Sequence, residues 1–496
     1  MERARLKKRM AVLPALALVV LLAAPGLGTV APARTVAPSA PTVSTAPTAA
    51  VGSFAVRDGE ILDSRGRIAY FRGVNVASNA KLAADHLPFR PGETAWWDRL
   101  EEWGFNLVRF CVFWEGIEPE KGVIDHAYLD SVERLLEEAG RRGIYVIVDM
   151  HQDIFSRWLH GDGAPRWAVE AAGVDPDNNN GFGGPLWSWS NLFSSDLRKC
   201  ITNFWQSEEL KEHYENAFVE VARRVADNPH VLGYDIMNEP GAGNIDNAGG
   251  AFENGYLKPF YEEVIAALRQ VDPDAIGFVE PLDWMFSQLT PFETERLVYA
   301  PHMYDSIANA FRVMVLPEYL LFQVFHSMEK SKANELGMPL LVGEFGAPWY
   351  VNPPGARDVI VDAQYGVMES VFTSNALWDY SVRDVTCWNE EDFSLIDEHG
   401  NPRGLEAAAR PYVRRLAGKP LLQKFDRFTR RYELEFSGAT VAAPTIVRVP
   451  VSVQYPAGFR VSVSDGRYSF NPSTGELTYR CARGAGKHRI VITPAG

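Results

Sequence analysis

Tyr234-Asp235-Ile236-Met237-Asn238-Glu239-Pro240 is an apolar run of strand length that ends in a carboxylate, and Leu340-Leu341-Val342-Gly343-Glu344-Phe345-Gly346 repeats the pattern further along the chain. In a parallel barrel every strand opens its C-terminal end on the same face, so two such glutamates confront each other across one cleft. Working outward, apolar runs with room for a helix between them recur at residues 71 to 76, 107 to 112, 145 to 150, 231 to 236, 276 to 280, 297 to 304, 339 to 345 and 375 to 381. Eight runs predict an α/β chain folded as one (β/α)8 barrel. The segment carrying Leu129, Val132, Leu135, Leu136 and Ala139, stopped by Gly140 and Gly143, has helical periodicity, as does that of Leu210, Tyr214, Phe218, Val221 and Val225. A doubly wound sheet would need a glycine-rich turn after its first strand, and none follows.

The ends of the chain differ in kind from its middle. Five basic residues before an apolar run from Met10 to Ala24, then Ala31-Pro32-Ala33, predict a cleaved signal peptide over 1–33 and hence export from the cell. Residues 34–50 are mostly Ala, Pro, Thr, Ser and Val and read as a disordered spacer. The barrel is expected over 51–417. From 418 to 496 short alternating runs separated by Gly, Pro, Asp and Asn predict a small antiparallel β-sandwich. The net charge of −14 includes +4 from residues 1–33, so the body is more acidic still. That balance repels phosphate backbones and argues against nucleic acid as a partner. Cys111, Cys200, Cys387 and Cys481 have no metal-ligand spacing, and their pairing stays open.

The chemistry is read from strand ends. A carboxyl that protonates a departing oxygen, facing a carboxylate that traps the positive carbon left behind, is the apparatus for cleaving a glycosidic bond with retention; it needs the two groups about 5 Å apart. Glu239 is placed as acid/base, after Asn238 whose amide can hold a sugar 2-hydroxyl, and Glu344 as nucleophile. Arg109, alone in the apolar run Leu107-Val108-Arg109-Phe110, demands a carboxylate partner, taken to be Glu344. Asp149-Met150-His151-Gln152-Asp153 closes the third strand with alternating polar side chains. These suit sugar hydroxyls; a metal reading is set aside because the two-glutamate mechanism needs no metal or other cofactor. His302 and Tyr304 end the sixth strand, Tyr304 as a donor to the nucleophile, and Trp378 ends the eighth as a sugar platform. Glu280 and Lys81 fit either a substrate role or a structural one. Residues 151 to 208, rich in tryptophan, are expected to build the substrate site.

In order and strand position, Arg109, Asn238-Glu239-Pro240, His302-Met303-Tyr304, Glu344 and Trp378 resemble glycoside hydrolase family 5. Gly73-Val74-Asn75-Val76, Asn79-Ala80-Lys81 and the 149–153 stretch are similar to its endoglycoceramidases. That resemblance implies a monomer that cleaves the β-glycosidic bond between oligosaccharide and ceramide in glycosphingolipids, with Lys81, Asp149, His151, Asp153, Asn238, Tyr304 and Trp378 lining the sugar site. It gives a role to the apolar stretch from Phe311 to Phe325, which would cradle acyl chains or touch a membrane or micelle surface; an ordinary buried barrel helix is the competing reading. Two other functions fit the same residues: hydrolysis of a soluble β-glucan or another β-glucoside, and glycan binding by an inactive barrel.

Overall fold

The structure is a computed structural model that describes residues 54–282, 286–314, 317–382, 388–438, 440–482 and 484–495. The segments read from sequence as signal peptide and spacer, with Cys387, Val315 and Leu316, lie outside the described residues.

Eight parallel strands form the central sheet: β1 (Arg72–Val76), β2 (Leu107–Val112), β3 (Tyr145–Met150), β4 (Val231–Asp235), β5 (Gly277–Val279), β6 (Leu297–Tyr299), β7 (Leu341–Val342) and β8 (Ser374–Leu377). Their order is β7-β8-β1-β2-β3-β4-β5-β6. A parallel bridge between Tyr299 and Leu340, and the pairing of His302–Tyr304 with Glu344–Gly346, join β6 to β7 and close the barrel. The strands are apolar on both faces because both are covered, one by the barrel interior and one by helices. β2 is buried at every position. Gly73 lets β1 approach β2, since a Cβ there would lie 2.7 Å from the Leu107 carbonyl oxygen.

Helices α1 (Ala95–Glu102), α2 (His126–Gly140), α3 (Ser195–Gln206), α4 (Glu208–Val225), α5 (Lys258–Leu268), α6 (Glu318–Leu336) and α7 (Ala356–Ser370) surround the strands. Asp125 caps α2 by accepting from the Ala127 and Tyr128 amides, and Ser194 and Ser207 cap α3 and α4 in the same way. The caps limit the long connection after β3. Where the sequence suggested a site-building stretch from 151 to 208, residues from 195 onward are helix α3, whose Ile201, Phe204 and Trp205 still reach the mouth of the barrel.

A sandwich of two antiparallel sheets packs beside the barrel. One comprises Lys419–Asp426, Arg431–Ser437, Lys487–Pro494 and Phe459–Val463. The other takes Tyr412–Leu416, Thr445–Arg448, Glu476–Arg480 and Arg467–Asn471, and extends through Ile68–Ala69, Glu60–Leu62 and Ala55–Arg57. Strand Tyr412–Leu416 and the segment 55–69 therefore belong to the sandwich sheet, although residue order places both within 51–417. Val413, Phe425, Leu434, Val447, Leu477 and Ile490 from both sheets share one core. Cys111, Cys200 and Cys481 carry free thiols, the first two buried.

The stretch from Phe311 to Phe325 is neither a uniformly buried helix nor a uniformly apolar surface. Phe322 packs into the barrel, whereas Phe311, Val313, Tyr319, Leu320 and Val324 are exposed.

Candidate active site

Arg109 projects from β2 into the barrel mouth and organises it. Its guanidinium is fully buried and touches four carboxylates: Nε donates to Asp235 (2.7 Å), Nη1 to Glu344 (2.8 Å), and Nη2 to Glu280 (2.9 Å), with Asp149 at 3.0 Å. Nη1 also donates to Asn75 and Nη2 to Asn238. One cation facing four anions would be untenable in a buried site unless other charges compensated. His302 supplies one. Burial works against its imidazolium, but Glu280, Glu344 and hydrogen bonds to Glu239 and Glu280 outweigh burial and hold its pKa well above the usual value. His151 behaves likewise: burial opposes the cation, while Cys111 and Asp149 favour it and win. Asp235 is driven the other way, its pKa raised chiefly by burial and against the pull of Arg109.

Glu239 and Glu344 converge at this cluster. Carboxylate oxygens of the two, with the His302 ring nitrogen between them, all lie within 4.8 Å of one another. His302 Nδ1 is 2.8 Å from Glu239 and 3.5 Å from Glu344. This is the short separation that suits a retaining displacement, in which the second carboxylate itself attacks and no water needs room between them. Burial raises the Glu239 pKa, the His302 hydrogen bond opposes that rise, and the charge of Glu344 adds to it. Glu239 is thereby set to hold a proton. Tyr304 donates to Glu344 at 2.7 Å, and burial followed by the two glutamates keeps its phenol protonated. Arg109 and Tyr304 thus grip opposite oxygens of the nucleophile.

The 149–153 stretch forms a chain of alternating charge. Residues 149, 151 and 153 share a face because side chains alternate along an extended strand. Asp149 lies between Arg109 and His151 Nδ1 (2.7 Å), His151 Nε2 is 3.4 Å from Asp153, and Asp153 pairs with Lys81. Asp149 has no exposed surface. It orients His151 through the Nδ1 contact. The Lys81 ammonium is enclosed between the rings of Trp378 (4.5 Å) and Trp388 (4.0 Å), with Asp162 at 3.8 Å, so it is a support for Asp153 and no surface lysine. Trp378 stacks against His151 at 5.5 Å. Cys111-Asp149-His151, His151-Asp153-Asp162 and Glu239-His302-Glu344 are close enough to share a cation. Each group already contacts a fixed positive charge, from Arg109 or from Lys81.

Beside Glu239 the lining changes character. A cavity of about 620 Å³, open solvent at its mouth included, runs from His151 and Glu239 inward between Trp114, Phe155, Ile201, Phe204, Trp205 and Met237. Trp187 stands at its edge and is tied to the loop after β8: its indole donates to Glu391 (2.9 Å) and its ring lies 4.8 Å from Trp388.

Two site residues, Asp235 and Gln152, escaped the sequence reading, and Glu280, left there between a substrate and a structural role, takes its place beside the acid. Asp235 sits in an otherwise apolar strand, the same signal that marked Arg109. Glu280 ends β5, accepts from the Glu239 amide (2.9 Å) and lies 3.1 Å from His302. Gln152 spans β3 and β4, and no sequence signal separated it from its neighbours.

Two facing carboxylates at the C-terminal mouth of a closed barrel, one proton-bearing and one held by Arg and Tyr, define a retaining glycosidase site. Residues 71–384 match the cellulase (glycosyl hydrolase family 5) family and residues 410–492 match the glycoside hydrolase family 5 C-terminal domain; the chain belongs to glycoside hydrolase family 5. It is 27% identical to endoglycoceramidase I of Rhodococcus hoagii, over 88% of this chain and 87% of that protein. It is 32% identical to a glucosylceramidase of Rhizopus delemar, covering 82% of this chain and 91% of that one. Among solved structures, the ganglioside GM3 complex of endo-glycoceramidase II from Rhodococcus sp. superposes with a TM-score of 0.75 at 28% identity, over 89% of this chain and 100% of that one.

Proposed function

We propose that this enzyme hydrolyses the β-glycosidic bond joining the glycan to ceramide in glycosphingolipids, with retention of configuration. The observation that carries the proposal is the apolar cavity opening directly at Glu239. A general acid stands beside the oxygen that leaves, so the cavity receives the aglycone. A soluble glucan would place another hydroxyl-rich sugar there; Trp114, Phe155, Ile201, Phe204 and Trp205 favour a hydrocarbon.

The geometry dictates two displacements. Glu344 attacks the anomeric carbon as the bond to the ceramide oxygen breaks, and Glu239 gives that oxygen its proton. Ceramide leaves and the glycan is held as an ester on Glu344. Esterification removes the negative charge that had helped raise the Glu239 pKa, so Glu239 becomes the base that deprotonates the incoming water. Water bonds to the anomeric carbon and Glu344 departs.

Such a substrate resides in membranes. Exposed Phe182, Leu186, Leu192 and Phe193 after β3, with Phe311, Tyr319 and Leu320 after β6, offer apolar side chains on the mouth side of the barrel and support transient contact with a lipid surface. The basic and apolar N-terminus supports export. The purified protein should release oligosaccharide from GM1 in detergent micelles and leave carboxymethylcellulose uncut. Cleavage of the cellulose alone overturns the lipid assignment.

A further inference from the structure

Gln152 ties the end of β3 to the turn that carries Glu239. Its side-chain amide donates both hydrogens to consecutive carbonyls of the acid-bearing turn, to Asn238 O at 2.6 Å and Glu239 O at 3.0 Å. Its own backbone carbonyl accepts from the Asn238 side chain at 2.9 Å. The amide is fixed from the other end, because Gln152 Oε1 accepts from the Phe155 amide at 2.7 Å. The turn needs this grip. Glu239 has φ +40°, in the left-handed region that a side chain disfavours, and the following Pro240 offers no amide hydrogen to secure it. Phe155 also has positive φ (+73°), and both Phe155 and Gln152 line the apolar cavity.

We propose that Gln152 is a positioning residue that couples the apolar cavity to general acid catalysis: an aglycone seated against Phe155 orders the Phe155-Gln152 hydrogen bond, and Gln152 in turn holds the Glu239 peptide where its carboxyl meets the glycosidic oxygen. The inference rests on Glu239 being the acid and on the cavity receiving the aglycone. Binding energy from the unreactive chain is thereby spent on orienting the reacting group.

The test is Gln152→Met, which keeps length and removes both donors and the acceptor, alongside Gln152→Glu, which restores the acceptor. For Gln152→Met, kcat/KM on GM1 should fall about 30-fold or more, a sizeable part of what general acid catalysis supplies. On 2,4-dinitrophenyl β-lactoside, whose leaving group departs without a proton, the fall should be several times smaller. The loss on GM1 should appear in kcat more than in KM. A loosened Glu239 is less buried, so its raised pKa drops and the alkaline limb of the kcat/KM profile moves to lower pH. Gln152→Glu, which keeps the acceptor for the Phe155 amide but turns a carboxylate toward the Asn238 and Glu239 carbonyls, should recover none of the GM1 activity. Equal losses on both substrates, with an unmoved alkaline limb, would show that Gln152 merely supports the fold and would overturn the proposal. A wild-type enzyme inactive on GM1 would instead break the assignment of function.

Discussion

The two sides of the barrel mouth are built from opposite materials. On the sugar side, buried charged side chains from six strands gather around Arg109 and are tied together by hydrogen bonds and ion pairs. On the cavity side, inward of His151 and Glu239, aromatic and aliphatic side chains from Trp114, Phe155, Ile201, Phe204 and Trp205 dominate, with Gln152, Asn191 and Tyr214 as the polar exceptions. Glu239 stands on the border and takes something from each: burial raises its pKa, and His302 and Glu344 tune it. The contrast teaches that an acid catalyst can be made by placing an ordinary carboxyl at the edge between a buried charged network and a mainly apolar cavity.

The strongest way to break that contrast is on the polar side. Glu344→Gln should reduce turnover of every glycoside by more than about 10⁴-fold, since the attacking atom is lost. Measured residual activity near the wild-type level would remove Glu344 from its role. Glu239→Gln should lower kcat/KM on GM1 by about 10² to 10⁴-fold but that on 2,4-dinitrophenyl β-lactoside far less, because only the former needs the proton. Similar losses on both would exchange or erase the assigned roles.

On the apolar side, Ile201→Trp should fill the cavity and raise KM for GM1 by about 10-fold, the scale of one or two lost methylene contacts or more, with little change for the aryl lactoside. Unaltered KM for GM1 would place the ceramide elsewhere. The smallest effect concerns the border itself. His302 holds the Glu239 pKa down through its hydrogen bond and charge, so His302→Gln should raise that pKa further. A raised acid stays protonated to higher pH, and the alkaline limb should therefore move upward, opposite in sign to the shift expected for Gln152→Met. A downward shift would mean that burial lost on substitution outweighs the lost charge.

Much of the barrel was legible in the sequence because its signals are local. A strand covered on both faces is mostly apolar, so strands such as β2 and β3 stand out as apolar runs, and a charged residue within one, such as Arg109, announces a buried partner. Glu239 and Glu344 were legible for the same reason, as carboxylates at the ends of such runs. Asp235 and Glu280 carry the same kind of signal, but their importance lies in meeting Arg109, which comes from a different strand. The segment 55–69 was unreadable as part of the sandwich because two- and three-residue strands have too little pattern to choose a sheet. The exposed side chains at Phe311, Leu320 and Val324 were unreadable because composition says how apolar a helix is and not which neighbours cover it.

By itself the sequence determined the alternation of strand and helix, the closed barrel that follows from eight such units, and the pair of strand-end acids, because these depend on residue type and spacing alone. The tertiary structure decided which acid keeps a proton, which arginine contact restrains the nucleophile, and where polar lining gives way to apolar cavity. Those depend on distances between residues remote in the chain, and electrostatic and desolvation energies are functions of distance and burial that no linear order contains.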